Sequence, residues 1–191
     1  MKHEVKFVSF VLAAWLCFAL AAGVAGWFQK ASAPMIALTV WILTGLVLLA
    51  CWKVEPIRMW AMKVDLRWLV LLHTTRFVGF SFLILCRRGE LPCTFAMPAG
   101  VGDITIAIAT VVILLAPQFF ASRRLLLIWN SAGLIDIVFV VFAALRAGLQ
   151  DWPAMAPLRE LPLGLLPTFL IPLIIASHVL VFVRLARSKN E

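Results

Sequence analysis

Six long apolar runs, separated by short polar breaks, organise the whole chain. They cover residues 7–28, 35–52, 68–86, 101–120, 125–145 and 165–183. A helix needs about 20 apolar residues to cross a bilayer, and each run has roughly that length. Lys, Arg, Pro, Gly and Trp gather in the breaks, as is typical of membrane boundaries. The pattern predicts an all-α fold, a polytopic bundle of about six transmembrane helices.

The composition excludes a water-soluble fold. Of the 191 residues, 64% are apolar and 14% are charged, and the mean hydropathy is +1.05. A soluble domain of this length needs a polar exterior, which such a composition cannot supply. No stretch between the runs is long enough for an extramembrane domain, and no internal repeat is visible. We therefore expect a single transmembrane domain over residues 1–191.

The distribution of Lys and Arg predicts that both termini face the cytoplasm, because short cytoplasmic loops retain basic residues. With the N-terminus inside, eleven basic residues fall on the inner side: Lys2, Lys6, Lys53, Arg58, Lys63, Arg67, Arg123, Arg124, Arg184, Arg187 and Lys189. The outer side holds Lys30, Arg87, Arg88, Arg146 and Arg159. The net charge of +8 then follows from topology and from attraction to anionic lipid headgroups at the cytoplasmic face. It does not indicate nucleic-acid binding.

The first apolar run has a second interpretation. Lys2 and Lys6, followed by an apolar run that ends near Gly26, also resemble a signal peptide. Its removal would leave five spans and an outer N-terminus. The run is longer than a usual signal core, which favours an uncleaved first span.

A short amphipathic helix is predicted near residues 56–67, between the second and third runs. Ile57, Trp60 and Val64 share one helical stripe, and charged residues flank it. Such a helix lies in the membrane interface, as a lipid-sensing or docking surface or, in the interpretation we favour, as a simple connection.

The four cysteines lack the spacing of a zinc or iron–sulfur site. Cys17 and Cys51 lie inside apolar runs and are expected to pack there. Cys86 and Cys93 lie near the outer end of the third run, where a disulfide is chemically feasible. The sequence alone leaves that bond open, because it does not show the geometry of the two residues.

Ionisable residues inside the apolar runs are the candidate functional residues, because a charge in hydrocarbon is costly unless it is paired or hydrated. They are His73, Arg76, Asp103, Asp136 and His178. Arg76 cannot lose its proton and needs a carboxylate or carbonyls. Asp136 matches its depth, so we expect an Arg76–Asp136 pair. Asp103 is the competing partner, although we also expect it in the first turn of the fourth helix, where it would cap free amides.

His73, Asn130 and His178 form a second polar level, nearer the cytoplasmic side. Paired imidazoles on facing helices are the ligands of a b-type haem, so His73 and His178 are candidate haem or metal ligands. They are equally candidates for hydrogen bonds with Asn130 or Ser177.

Two segments on the outer side are expected to be irregular. Residues 89–103 are too apolar for a solvated loop and contain several glycines and prolines, so we expect them to dip back into the protein. Pro172 in the sixth run would free the carbonyl of Thr168 for a cation, water or ligand. These features indicate either a cavity beneath the outer loops or a tightly packed cap with one kink.

Several motifs resemble those of an uncharacterised family of small bacterial inner-membrane proteins. The motifs are Arg76-Phe77-Val78-Gly79, Leu-Pro-Cys-Thr-Phe-Ala before Gly102-Asp103-Ile104, Trp129-Asn130 before Gly133-Leu134, and Leu166-Pro167-Thr168-Phe169-Leu170-Ile171-Pro172 with His178. The resemblance covers the chain from about the third run onward. It implies a location in the bacterial inner membrane and implies no activity, cofactor or functional residue.

Three functional hypotheses remain. The sequence has no nucleophile elbow, HExxH motif, phosphate-binding loop or dinucleotide fingerprint, so an enzyme is not favoured. An intramembrane enzyme would have to build its site from Asp103, Asp136, His73 and His178. The favoured hypothesis is a polar site around Arg76 and Asp136 that binds or moves a small solute, an ion or a proton. One alternative is a haem- or metal-binding redox protein that uses His73 and His178. The other is a structural or assembly subunit, acting with a membrane-protein partner or as a homo-oligomer.

Overall fold

Six long helices form the protein, as the apolar runs predict. The computed structural model describes residues 2–187, and no strand occurs among them. The helices that are long and apolar enough to cross a membrane, numbered here as the first to the sixth span, are Lys2–Val24, Ala33–Lys53, Leu66–Arg87, Cys93–Leu115, Arg123–Gln150 and Leu166–Arg187. Lys189, counted above among the inner basic residues, lies outside the described residues. The prediction of a helical bundle of about six spans is confirmed.

Short helices join the spans. They are Trp27–Lys30, Glu55–Lys63, Pro117–Ala121 and the 3-10 helix Pro153–Arg159. Glu55–Lys63, called the connecting helix below, is the predicted amphipathic segment, but it stops before residue 67. It ends at Lys63 because Val64 leaves the helical conformation, with ψ at 141°. The Asp65 carboxylate then accepts a hydrogen bond from the backbone amide of Arg67 (2.9 Å) and so caps the third span.

The end of the bundle where the first span begins and the sixth span ends is called the terminal end. There the Arg184 guanidinium donates to the backbone carbonyl of Val64. The opposite end is called the disulfide end, because Cys86 and Cys93 are bonded there, with their Cα atoms 4.9 Å apart. This disulfide closes the short turn between the third and fourth spans.

The third and fourth spans pack at very short range. A Cβ atom added to Gly79 would lie 2.6 Å from the Gly100 carbonyl oxygen, so only glycine allows this approach. The expectation that residues 89–103 form an irregular re-entrant segment is wrong, because the fourth span already begins at Cys93 and contains Pro98. Ala96 and Ala99 are fully buried in this helical turn, which gives it a small apolar face for packing.

The third span changes its winding where its polar residues lie. Residues Leu72–Val78 form a 3-10 helix inside the span. In a 3-10 helix, side chains three residues apart stand one above the other. His73 and Arg76 therefore point into the bundle from the same edge, and both are buried.

The first span lies at the edge of the bundle. It packs mainly against the connecting helix and against Leu166–Leu170, a π-helical turn that opens the sixth span. The Trp15 indole donates to the carbonyl of Thr168 (3.0 Å). The carbonyl that was expected to meet a cation, water or ligand is thus bonded to tryptophan.

Candidate functional site

Arg76 is the centre of a polar cluster formed by three spans. Its Nε donates to Asp103 Oδ1 at 2.7 Å, and one terminal nitrogen donates to the carbonyl of Gly133 at 2.9 Å. The other terminal nitrogen donates to Asp136 Oδ2. Arg76, Asp103 and Asp136 each stand at the middle of their own span. The expected Arg76–Asp136 pair is therefore present, and Asp103 completes a group of three, called the Arg76 cluster below.

Asp103 is not a helix cap. The fourth span begins ten residues before it, at Cys93, so its carboxylate has no free backbone amides to accept from. Its Cβ lies 3.0 Å from where a Cβ on Gly79 would stand. The short helix–helix distance at Gly79 is what brings Asp103 within reach of the guanidinium.

Asp136 is the accessible member of the cluster. Its side chain is 19% exposed, whereas the side chains of Arg76 and Asp103 are 1% and 5% exposed. Gly102 on the fourth span leaves the gap, since a Cβ there would collide with Asp136 Oδ1. Ile135 and Val101 beside this gap are exposed and apolar, as expected of a lipid-facing surface. The carboxyl of Asp136 thus reaches the seam between the fourth and fifth spans.

A second group of polar residues lies between the Arg76 cluster and the terminal end. Asn130 Nδ2 donates to the carbonyl of His178 (3.0 Å), and Asn130 Oδ1 contacts His178 Nδ1 (2.8 Å). Ser177 Oγ contacts His73 Nε2 (3.0 Å). The imidazole centroids of His73 and His178 are 4.2 Å apart. These four residues are called the histidine pair with its partners.

The hydrogen bonds assign a proton to each imidazole. An amide oxygen only accepts, so His178 Nδ1 carries its proton. The Ser177 hydroxyl donates to the carbonyl of Ile174 (2.8 Å), so it accepts from His73 Nε2. The other ring nitrogens, His73 Nδ1 and His178 Nε2, are buried and have no hydrogen-bond partner within residues 2–187. Each ring therefore has one nitrogen in a hydrogen bond and one without a partner in this part of the chain.

Gly133 joins the two groups. Its carbonyl accepts from Arg76, and a Cβ at this position would lie 3.0 Å from His178 Nε2. Sequence reasoning missed Gly133 and Gly102 as parts of the site. The only signal was their position, because each is a small residue within one turn of a polar residue on its own helix.

The space beside the cluster is small. A cavity of about 20 Å³ adjoins Arg76, Asp103 and Thr75. A volume of about 10–15 Å³ accommodates one water molecule, so this cavity has room for one and for no larger solute. A separate cavity of about 70 Å³ lies beneath the loops of the disulfide end, lined by apolar residues such as Phe82, Trp152 and Met155. A cavity beneath these loops therefore exists, but it is apolar and Arg76 does not line it.

Comparison with known proteins identifies one family. No curated protein and no solved structure matched the chain. The sequence model of a domain of unknown function, DUF8737, matches residues 33–186. The matched region contains every residue of the Arg76 cluster and of the histidine pair with its partners, while the first span precedes it. The chain therefore belongs to the DUF8737 family.

Proposed function

We propose that this multi-pass membrane protein binds, and passes across the membrane, one proton or one small monovalent cation at the Arg76 cluster. The observation that carries the proposal is one buried guanidinium held between two carboxylates, of which Asp103 is buried and Asp136 is partly exposed. If Asp103 and Asp136 are both ionised, the cluster has one excess negative charge. An unbalanced charge inside a membrane is costly, so the cluster is stable when it holds one further positive charge.

The size of the adjoining cavity favours a proton or a bare ion over a larger solute. The space beside Arg76 and Asp103 has room for one water molecule. A solute of several atoms would need the spans to separate, whereas a proton needs only an accessible carboxyl. Asp136 supplies that carboxyl, since it is the exposed member of the cluster.

The histidine pair with its partners supplies the second half of the proposed path for a proton, between the Arg76 cluster and the terminal end. His73 and His178 stand between the Arg76 cluster and the terminal end, and each has an unpaired ring nitrogen. Histidine accepts and releases protons near neutral pH when its surroundings allow. Gly133 contacts both groups, so they are adjacent to each other.

Infrared spectroscopy of the detergent-purified protein tests the proposal. The carbonyl stretch of a protonated carboxyl should be present at neutral pH and should disappear in Asp136→Asn and in Asp103→Asn. Each of these variants leaves one carboxylate to balance Arg76, so no extra proton is needed. Asp151→Asn, at the end of the fifth span, is the matched control and should keep the band. Loss of the band when sodium is added would identify a cation competing with the proton, and a band unaffected by sodium would identify the proton alone.

The contradicting result is equally clear. If the wild-type protein has no protonated buried carboxyl at any pH at which it is folded, and sodium or potassium does not bind, the cluster carries no exchangeable charge.

A purely structural or assembly role receives less support. In that case the polar residues only hold the helices together, and every buried polar atom should have a partner. Among the described residues, His73 Nδ1 and His178 Nε2 have none. A partner protein that co-purifies in constant amount would favour this role instead.

Haem binding also receives less support. A porphyrin with its iron between two imidazoles needs more room than the 4.2 Å between the centroids of His73 and His178. An absorption spectrum of the purified protein, oxidised and reduced, decides the matter. A Soret band that is lost in both His73→Ala and His178→Ala would establish a histidine-ligated haem.

We also infer that the terminal end faces the cytoplasm of a bacterium and that the protein resides in its inner membrane. The excess of basic residues at the terminal end supports this orientation. The Cys86–Cys93 disulfide supports it too, because disulfides persist on the oxidising outer side of that membrane.

A further inference from the structure

A third cavity, larger than the two described above, lies between the first span and the rest of the bundle, in the half nearer the terminal end. Its volume is about 240 Å³. Val8 and Leu12 of the first span line one side, and Ala50, Leu69 and Leu180 line the other. The cavity is separate from the Arg76 cluster, and it meets the histidine pair with its partners only at Ser177, which lies on its wall.

Contacts at its two ends keep the cavity open. At the terminal end the connecting helix packs against both the first and the second span. At the other end Trp15 holds the first span to the sixth, through its bond to Thr168 and an edge contact with Phe169 at 5.0 Å between centroids. Gly23 adds a third contact, since a Cβ there would lie 2.9 Å from Leu161. Between these contacts no described side chain fills the space.

The lining of the cavity favours a hydrocarbon ligand. It is almost wholly apolar, and the Ser177 hydroxyl on its wall is already bonded to His73 and Ile174. An apolar cavity of about 150 Å³ stays dry and admits a hydrocarbon ligand, and this cavity is larger. Water is therefore a poor occupant, whereas a lipid chain can enter from the bilayer.

The charges near the mouth of the cavity favour a lipid with an anionic headgroup. Trp60 and Trp68 line the cavity, and tryptophans of this kind mark the level of the lipid headgroups. Basic residues lie near that level on the four helices that begin or end there: Lys2 and Lys6 on the first span, Lys53 on the second, Arg58 and Lys63 on the connecting helix, and Arg67 on the third. The acidic residues of the same segments are Glu4, Glu55 and Asp65, and Glu55 pairs with Arg58. A phosphate at the mouth would meet an excess of positive charge.

We propose that this cavity binds one acyl chain of an anionic phospholipid of the cytoplasmic leaflet, with its phosphate at Lys53 and Lys63. The bound chain completes the packing between the first span and the bundle. It also covers Ser177, and so separates the histidine pair from the surrounding lipid.

Lipid retention by the full-length protein tests the proposal. The protein is purified in mild detergent, washed, and analysed by native mass spectrometry and by lipid extraction. One phosphatidylglycerol-class lipid should remain on each wild-type chain. Ala50→Phe, which fills the cavity, should lose it. Gly45→Phe is the matched control on the same span, because nothing lies within 4 Å of a Cβ at Gly45.

Reversing the charges at the mouth gives an independent second test. Lys53→Glu and Lys63→Glu should each lower the retention of phosphatidylglycerol relative to phosphatidylcholine by more than about fivefold. Loss of one basic residue near an anionic headgroup costs about 1 kcal/mol, which is about fivefold, and the added negative charge repels the phosphate further. Lys30→Glu, at the disulfide end, should leave the relative retention unchanged. This test stands even if Ala50→Phe does not fold.

Three results would overturn the proposal. In the first, Ala50→Phe retains the lipid as well as the wild type does. In the second, the charge variants prefer phosphatidylglycerol as strongly as the wild type does. In the third, a neutral lipid or a prenylated quinone is recovered in place of the phospholipid.

Discussion

Arg76 and Asp103 meet at the middle of two neighbouring spans, with Nε and Oδ1 2.7 Å apart. Both side chains are almost completely buried. Their contact depends on the backbone, because the third and fourth spans approach closely enough only where Gly79 faces Gly100. On each helix, the charged residue and the glycine that permits the close approach are thus three residues apart, Arg76 with Gly79 and Asp103 with Gly100.

Replacing Gly79 tests this dependence. Gly79→Ala places a Cβ 2.6 Å from the Gly100 carbonyl oxygen, so the two spans must separate. We expect a loss of about 1–3 kcal/mol, the usual cost of overpacking. Thermal unfolding in detergent measures it, with Gly45→Ala as the control in open space. An unchanged melting temperature for Gly79→Ala would mean that the helix contact is not tight.

The charge balance of the Arg76 cluster predicts unequal effects of single and double substitutions. Asp103→Asn and Asp136→Asn each leave a balanced pair with Arg76, so their stability should change little. The double variant leaves the guanidinium without a carboxylate in the middle of the bundle. It should lose about 3–5 kcal/mol, the cost of an uncompensated buried charge. Equal unfolding temperatures for the single and double variants would contradict the charge argument.

The exposure of Asp136 predicts selective chemical modification. A hydrophobic carbodiimide reacts with protonated carboxyls that it can reach from the lipid, so it should label Asp136 and spare the buried Asp103. Peptide mass spectrometry locates the adduct. Gly102→Val should abolish labelling, because its side chain would collide with Asp136 and close the seam. Labelling of Asp103, or equal labelling in Gly102→Val, would show that the seam is not the route.

The histidine pair with its partners should contribute measurably to stability. Asn130→Leu removes both hydrogen bonds to His178 and leaves its Nδ1 without a partner. A buried donor without a partner costs about 1–3 kcal/mol. Thr105→Val is the comparison, because the Thr105 hydroxyl is exposed and bonds only within its own helix, to Val101. Similar melting temperatures for the two variants would show that the Asn130–His178 contact is weak.

Cysteine labelling tests the orientation. After reduction, a membrane-impermeant maleimide added to right-side-out cells or spheroplasts should label Cys86 and Cys93. Without reduction it should label neither residue, because they are bonded to each other. The Cys86→Ser and Cys93→Ser variants identify which residue reacts. If the two cysteines were labelled only from the cytoplasmic side, the disulfide end would face the cytoplasm, which contradicts the proposed topology.

The sequence predicts most of the fold correctly, and it predicts the candidate site only in part. The start of the fourth span was misjudged, because glycine and proline between residues 89 and 103 are typical of loops in general but serve close packing here. That error also assigned Asp103 to a helix cap. The depth of Arg76 and Asp136 was correctly matched, since depth follows from counting residues along a span.

The sequence by itself determined the number of spans, their approximate limits and the identity of the polar residues within them. These are local properties, because any chain segment of sufficient apolar length must be a helix in a bilayer. Only the tertiary structure decided that Arg76 binds two carboxylates, that Cys86 and Cys93 are bonded, and that Trp15 occupies the Thr168 carbonyl. Those relationships depend on how the helices are rotated and spaced against each other. A single glycine allows two helices to approach closely, and the pattern of apolar residues does not show which helices do so.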